Sequence, residues 1–461
     1  MKNFLERKFA RFWNRRASDR SLAPTSRGML DIGTRVVDGE PVVGSHVGIL
    51  QNRRPEHLAL LGKTGTGKSY LVRHLASQDV NASRGFIFFD LHGDVTPFLL
   101  KAIAMRERVL RQDLSDRLIV IDPTDPQYSV GLNPLEVDRG NDRFIQIAEF
   151  SQILKERWHL DTFGARTDEV LRNALYVLSE CGLTLVELTA LLTDAEFRSH
   201  CVSRVTNADV REYFELRYGQ LSDAMRRMVA EPVLNKVSLF LSDVKFRHLL
   251  GQQYSTFSLA GSMDRQFWII INLDKGRLGE HGATFGSMLL TKAKHAFFVR
   301  TLRDVFGLYA DEVQNLVFQG GGLETILSET RKRGGAGCTA NQFLGQLPQE
   351  TQAAILSVAS FGFFQLSAAD AQQIAAMLDG GKSLAERLKN LPRRHLIFKT
   401  VHERWCEAVV PTVREPDIDS SDLYRRSLAR WARPRPEIED EIRKRREAGR
   451  PNQRETLDGW E

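Results

Sequence analysis

The stretch Gly62-Lys63-Thr64-Gly65-Thr66-Gly67-Lys68-Ser69 decides how the chain is read. It is a complete G-x-x-x-x-G-K-[ST] loop. The five residues before it, His57-Leu58-Ala59-Leu60-Leu61, form a short apolar run of the kind that makes a buried strand. The residues after it, Tyr70 to Gln78, place Leu71, Leu75 and Ala76 on one helical face. Strand, glycine turn and helix is the context in which such a loop wraps a phosphate. Its backbone N–H groups and the helix N-terminus then point at the anion. Lys68 reaches the β/γ-phosphates and Ser69 offers a hydroxyl to Mg²⁺, so Gly62 to Ser69 are the expected nucleotide-binding residues and ATP the expected ligand.

An ATP-cleaving site needs a second carboxylate. The apolar run 306–310 ends in Asp311-Glu312. Asp311 fits a residue holding Mg²⁺ through water, and Glu312 follows where a general base for the attacking water is needed. The next strand, around 337–342, ends in Gln342, whose amide can sense a γ-phosphate. Between them lies Arg331-Lys332-Arg333. An arginine from a neighbouring subunit often meets transition-state charge on a transferred phosphoryl group. The same run suits a solvated basic helix C-terminus, and the residues alone leave both readings open.

The rest of the chain organises around these points. Of 461 residues, 42% are hydrophobic and 26% charged, an ordinary globular balance. No apolar run approaches the roughly 18 residues of a membrane span, and the N-terminus lacks the apolar stretch of a signal peptide. Cys181, Cys201, Cys338 and Cys406 are scattered, without metal-type or disulfide spacing. A cytoplasmic protein follows. The net charge of +6 sits at the ends: residues 1–28 hold eight Lys/Arg against two acids, and residues 425–450 hold ten against five. The middle is therefore acidic, and the basic balance says little about a core that binds nucleic acid.

The α/β core divides into 29–140 and 263–416, one sheet domain interrupted once. Val36 to Val43 reads as a hairpin with an Asp-Gly turn, a small β element ahead of the nucleotide domain. Strands are expected at 85–90, 117–122, 267–273, 306–310, 337–342, 361–366 and 396–400, the last paired with 407–411. Asp90, His92 and Asp94, at a strand C-terminus, are expected near the ligand. Residues 141–262 switch to helical spacing, with a capping box at Thr184 and Glu187, and read as an all-helical insertion. Residues 1–28 form a basic amphipathic segment with Leu5, Phe9, Phe12 and Trp13 on one face. A membrane surface, the protein itself and nucleic acid all suit such a segment. Residues 417–461 read as a polar, basic C-terminal tail with one helix at about 437–447.

Several blocks together resemble one family: 62–69, FIFFDLHGD (86–94), VIDPTDPQYSVGLNPLE (120–136), INLDKGRLGE (271–280), LYADEVQNL (308–316), ILSETRKRGGAGCTANQFLGQLP (326–348) and SAADAQQIA (367–375). In order and spacing they look like the FtsK–HerA superfamily of DNA-pumping ATPases, and within it the coupling proteins of conjugative type IV secretion. The resemblance covers residues 55–415. It implies a RecA-like P-loop core with an all-helical insertion, working as a hexamer with DNA in the central channel, and ATP and Mg²⁺ as cofactors. By motif match it implies Lys68 and Ser69 as the Walker A pair, Asp311 and Glu312 as the Walker B pair, Gln342 as the motif III glutamine and Arg331 as the trans-acting finger, with Arg333 its competitor. A secretion channel or relaxase would be a further partner. Membrane-embedded coupling proteins begin with transmembrane helices and this sequence shows none, so contact with the inner membrane face would fall to residues 1–20 or a partner. Alternatives within reach are a HerA-like DNA-processing or packaging motor and an ATPase that recruits protein cargo. A GTPase is disfavoured, because Asn235-Lys236-Val237-Ser238 fails the last position of N-K-x-D.

Overall fold

The computed structural model describes residues 28–137, 140–317, 322–401 and 403–448. An eleven-stranded mixed sheet runs through it. Its strands are β1 (Met29–Val37), β2 (Glu40–Leu50), β3 (Leu58–Leu61), β4 (Phe86–Asp90), β5 (Leu118–Ile121), β7 (Trp268–Asn272), β8 (Phe306–Ala310), β9 (Gly335–Asn341), β10 (Ser360–Phe363), β11 (His395–Thr400) and β12 (Cys406–Val409). The spatial order is β2-β1-β12-β11-β10-β3-β9-β8-β4-β7-β5. From β10 to β5 all neighbours are parallel, and from β10 to β2 all are antiparallel.

The apolar runs read as strands are buried on both faces, as a parallel sheet requires. Ile87 and Phe89 of β4, Ile119 and Ile121 of β5, and Ile269 and Ile271 of β7 face one core. Phe86, Phe88, Leu118, Val120, Trp268 and Ile270 face the other. The second core is closed by the helix that follows the glycine loop (Lys68–Asn81) and by helix Val95–Leu110. The first is closed by helix Lys275–Val299 and by the helices between Arg143 and Asp264. Every regular element between β6 (Tyr128–Val130) and β7 is helical. The box at Thr184 and Glu187 forms, the Glu187 carboxylate accepting from the Thr184 backbone N–H at 2.9 Å.

Two expectations change. The Asp38-Gly39 hairpin exists, with positive φ at both turn residues (51° and 86°) as a tight primed turn demands. It is no separate β element, because β1 pairs with β12 and extends the main sheet. The chain beyond 417 is no trailing tail over its described part. Helix Ser421–Trp431 lies on β5, with Ser427 Oγ donating to the Leu118 carbonyl. A short strand β13 (Ala432–Pro434) pairs with β6, and helix Arg435–Ala448 reaches the helical segment. Four arginines of this segment are held by ion pairs: Arg426 by Glu107 and Asp113, Arg430 by Asp113, Arg433 by Glu441 and Arg445 by Glu187. The basic amphipathic reading of the N-terminus falls, apart from Gly28, outside the described residues.

Candidate nucleotide site

The glycine loop leaves the C-terminal end of β3, between β10 and β9. Its entry is fixed by two strand neighbours: Gly62 N–H donates to the Asn341 carbonyl and Lys63 N–H to that of Gln365. Gly65 and Gly67 adopt φ of 77° and 124°, values only glycine takes without strain. At Gly67 there is a second reason. A Cβ there would lie 2.9 Å from the Arg394 Cα, and Arg394 N–H donates to the Thr66 carbonyl at 2.7 Å. Lys68 opens the following helix, and its ammonium turns back into the loop to the Gly62 and Lys63 carbonyls. It is 7% exposed. Burial pushes its pKa down, against the pull of Asp311 and Glu312.

One strand, β9, separates β3 from β8. This spacing sets the carboxylates of β8 across from the loop. Ser69 Oγ donates to Asp311 Oδ2 at 2.8 Å, although 242 residues separate the two. Asp311 is 5% exposed, and burial raises its pKa. A buried carboxylate beside a hydroxyl is an oxygen donor pair that suits a hard cation. Among the described residues no cluster of three or more His, Cys, Asp or Glu forms an all-protein metal cage. Mg²⁺ is characteristically held by one or two protein oxygens plus phosphates and water, so the residues fit that ion.

Glu312 sits in the left-handed region, φ 52°, a conformation that costs about 1–2 kcal/mol for a residue with a Cβ. Its carboxylate is held from three sides. Gln342 Nε2 donates at 2.8 Å, His92 Nε2 lies at 3.3 Å, and Asn315 Nδ2 donates at 3.3 Å. The His92 contact does most to lower the Glu312 pKa, to about 2, and the same contact raises His92 to about 9. The pair is an imidazolium on a carboxylate. The strand-end glutamine read from the sequence therefore lies at the site.

The block around Asp90 separates on inspection. Only His92 reaches the carboxylate pair. Asp90 accepts from Gly93, Val95 and Thr96 N–H and from Thr96 Oγ1, which caps helix Val95–Leu110. Asp94 pairs with Arg73. Sequence reading missed two participants: the contact between His92 and Glu312, and the Arg394 backbone against the loop. Strand-end position signalled the first. No signal marks the second, since it depends on how β11 is entered.

Arg331 lies elsewhere. It precedes β9, and its guanidinium pairs with Glu56, ahead of β3, at 2.8 Å. β3 and β9 run parallel with Leu58 opposite Cys338, so both residues mark the N-terminal ends of these strands, away from the glycine loop. Seven residues of β9 span about 20 Å. The side chain is 61% exposed.

The sheet order, the loop and the facing carboxylates define a P-loop NTPase. Residues 41–255 match the family model described as the central domain of helicase HerA. Among solved structures, the fold matches the plasmid coupling protein TrwB in complex with the non-hydrolysable ATP analogue ADPNP, at TM-score 0.57 and 18% identity, over 84% of this chain and 96% of that one. TrwB with ADP and Mg²⁺ matches at TM-score 0.55 and 17% identity, over 86% and 97%. VirB4 of Thermoanaerobacter pseudethanolicus matches at TM-score 0.51 and 15% identity, over 83% and 96%. No curated protein sequence matches the chain. Among the described residues no helix is long and apolar enough to cross a membrane.

Proposed function

We propose that this protein is an ATP-hydrolysing motor that moves DNA as a ring of identical subunits, in the manner of a coupling ATPase of conjugative type IV secretion. The observation that carries the reading is the Ser69–Asp311 contact beside a Glu312 held by Gln342. It joins a phosphate loop, a cation-binding pair and a hydrolytic carboxylate in one place. ATP would occupy the loop, and Mg²⁺ held by Ser69 and Asp311 would neutralise charge on its phosphates. Lys68 and the loop amides hold the phosphates, Ser69 and Asp311 hold the cation, and Glu312 takes a proton from the attacking water. Gln342 shares hydrogen bonds with Glu312 and reports whether the γ-phosphate is present.

Arg331 acts on the site of the next subunit. Within its own chain it lies at the opposite end of the strands, and its exposure suits an arginine that meets a neighbour's γ-phosphate. The likeness to TrwB, a bacterial conjugative coupling protein, supports conjugation as the setting. DNA contacts are expected to be with phosphates and to weaken as salt rises.

The test is the ATPase rate of the full chain with and without DNA, beside Lys68→Ala. Stimulation by DNA and abolition in the variant support the reading. A Lys68→Ala protein that hydrolyses ATP at the wild-type rate refutes the site. ATPase activity indifferent to DNA refutes the DNA motor and favours a protein cargo.

A further inference from the structure

The loop after β8 is gripped from both sides, and one grip comes from outside the nucleotide core. Arg157 lies in helix Arg143–Trp158, the first of the helices inserted between β6 and β7. Its Nη2 donates to the Asn315 carbonyl at 2.9 Å and to the Val317 carbonyl at 3.5 Å. The same fork donates to Ser287 Oγ, through Nε at 3.1 Å and Nη2 at 2.6 Å. Ser287 in turn donates to the Leu316 carbonyl at 2.7 Å. Three consecutive carbonyls, 315 to 317, are thereby held by two side chains. Gly286 lets the loop sit this close, since a Cβ there would meet the Leu316 side chain at 2.5 Å. On its other side the loop holds the hydrolytic carboxylate: Asn315 Nδ2 donates to the Glu312 carbonyl at 3.2 Å and to its Oε2 at 3.3 Å.

We infer that Arg157 is a positioning residue for Glu312, tying the inserted helices to the loop that aims the general base. The inference rests on the hydrolytic reading of Glu312 given above. Only a guanidinium suits the place, because its planar fork reaches Ser287 and two carbonyls at once. The strained Glu312 backbone persists because its surroundings over-determine it. Loss of the fork leaves the 315 and 317 carbonyls without this donor and frees Asn315 to shift. The helix end is itself anchored. The Trp158 ring lies 5.8 Å from that of Phe240, which stacks on Phe246 at 5.0 Å. Helix Asp223–Ser242 thereby braces the end of the helix that carries Arg157. Misplacing a catalytic group by about 1 Å costs roughly 10²-fold in rate.

The experiment compares wild type, Arg157→Gln, Arg157→Lys and Asn315→Ala as full-length proteins. It measures kcat and KM for ATP, equilibrium affinity for a fluorescent ATP analogue, and thermal midpoint. Arg157→Gln is expected to lower kcat at least tenfold while analogue affinity stays within about twofold, with Arg157→Lys intermediate. Asn315→Ala, which cuts the link on the Glu312 side and otherwise loses only an exposed contact with Lys275, is expected to reproduce the kcat loss. It decides the matter if Arg157→Gln fails to fold. A kcat within twofold of wild type in both variants overturns the inference, as does a loss of affinity that parallels the loss of kcat. A wild-type protein without ATPase activity overturns the hydrolytic reading, and this inference with it.

Discussion

At the scale of single residues, the site is a set of opposed charges whose protonation is set by contact. His92 and Glu312 hold each other charged, so His92 is expected to titrate near pH 9 rather than 6.5. A folded pKa above the unfolded one means that the pair's stabilisation is complete below about pH 6.5 and is lost as pH rises through about 9. The depressed Glu312 gives the other limit: its share is complete above about pH 4.5 and lost as pH falls toward 2. NMR titration of the His92 ring in the nucleotide-free protein checks this, and a midpoint at or below 6.5 contradicts the contact. Replacing Glu312 by Gln keeps the shape and the Asn315 clasp but removes the proposed base. We expect kcat to fall by about 10²–10⁴ with nucleotide affinity retained, measured by turnover beside analogue binding. Most of these residues are legible in the sequence because the chemistry demands fixed neighbours: glycines, then Lys68-Ser69, then a strand ending in Asp311-Glu312. His92 and Arg394 were less so. Their roles depend on which strand ends lie side by side, and sequence order does not carry that.

At the scale of elements, a buried ion pair fixes the glycine-loop helix against β8. Arg54 grips Asp79, at the far end of that helix, through two bonds of 2.6 Å, and the Tyr309 hydroxyl on β8 donates to the same carboxylate at 2.6 Å. Both charges are almost wholly buried. Removing one partner strands the other, at a cost of about 3–5 kcal/mol. Asp79→Ala is therefore expected to lower the denaturant midpoint sharply, and a change below about 1 kcal/mol in chemical denaturation contradicts the account. This network was invisible in the sequence, since Arg54 reads as a loop cation and Asp79 as a polar helix residue. The strands, by contrast, were plain, because buried parallel strands must be continuous apolar runs such as Phe86 to Phe89 and Trp268 to Ile271. The C-terminal helices misled for the opposite reason. Their surfaces are polar, and their attachment is by ion pairs rather than by a long apolar stripe. Deleting residues 417–461 uncovers the Trp431 contact with Phe267 and the Ser427 bond to β5. We expect a clear drop in thermal midpoint, whereas a loose tail would leave it unchanged.

At the scale of the whole molecule, the two halves of the proposed site lie at opposite ends of the sheet's strands within one chain. The loop, Asp311, Glu312 and Gln342 lie at the C-terminal ends of the parallel strands, and Arg331 with Glu56 at the N-terminal ends. No rearrangement within a strand brings them together, so on the proposed reading a complete site calls for a second copy, and that is its central claim. The most direct measurement mixes Lys68→Ala with Arg331→Ala and compares ATPase rates. Each variant alone is expected to be nearly inactive. Some interfaces in the mixture combine an intact loop from one variant with an intact arginine from the other, so hydrolysis is expected to exceed the sum of the separate rates. A mixture no faster than that sum, or an Arg331→Ala protein that turns over at the wild-type rate, would contradict a site completed by the neighbouring subunit.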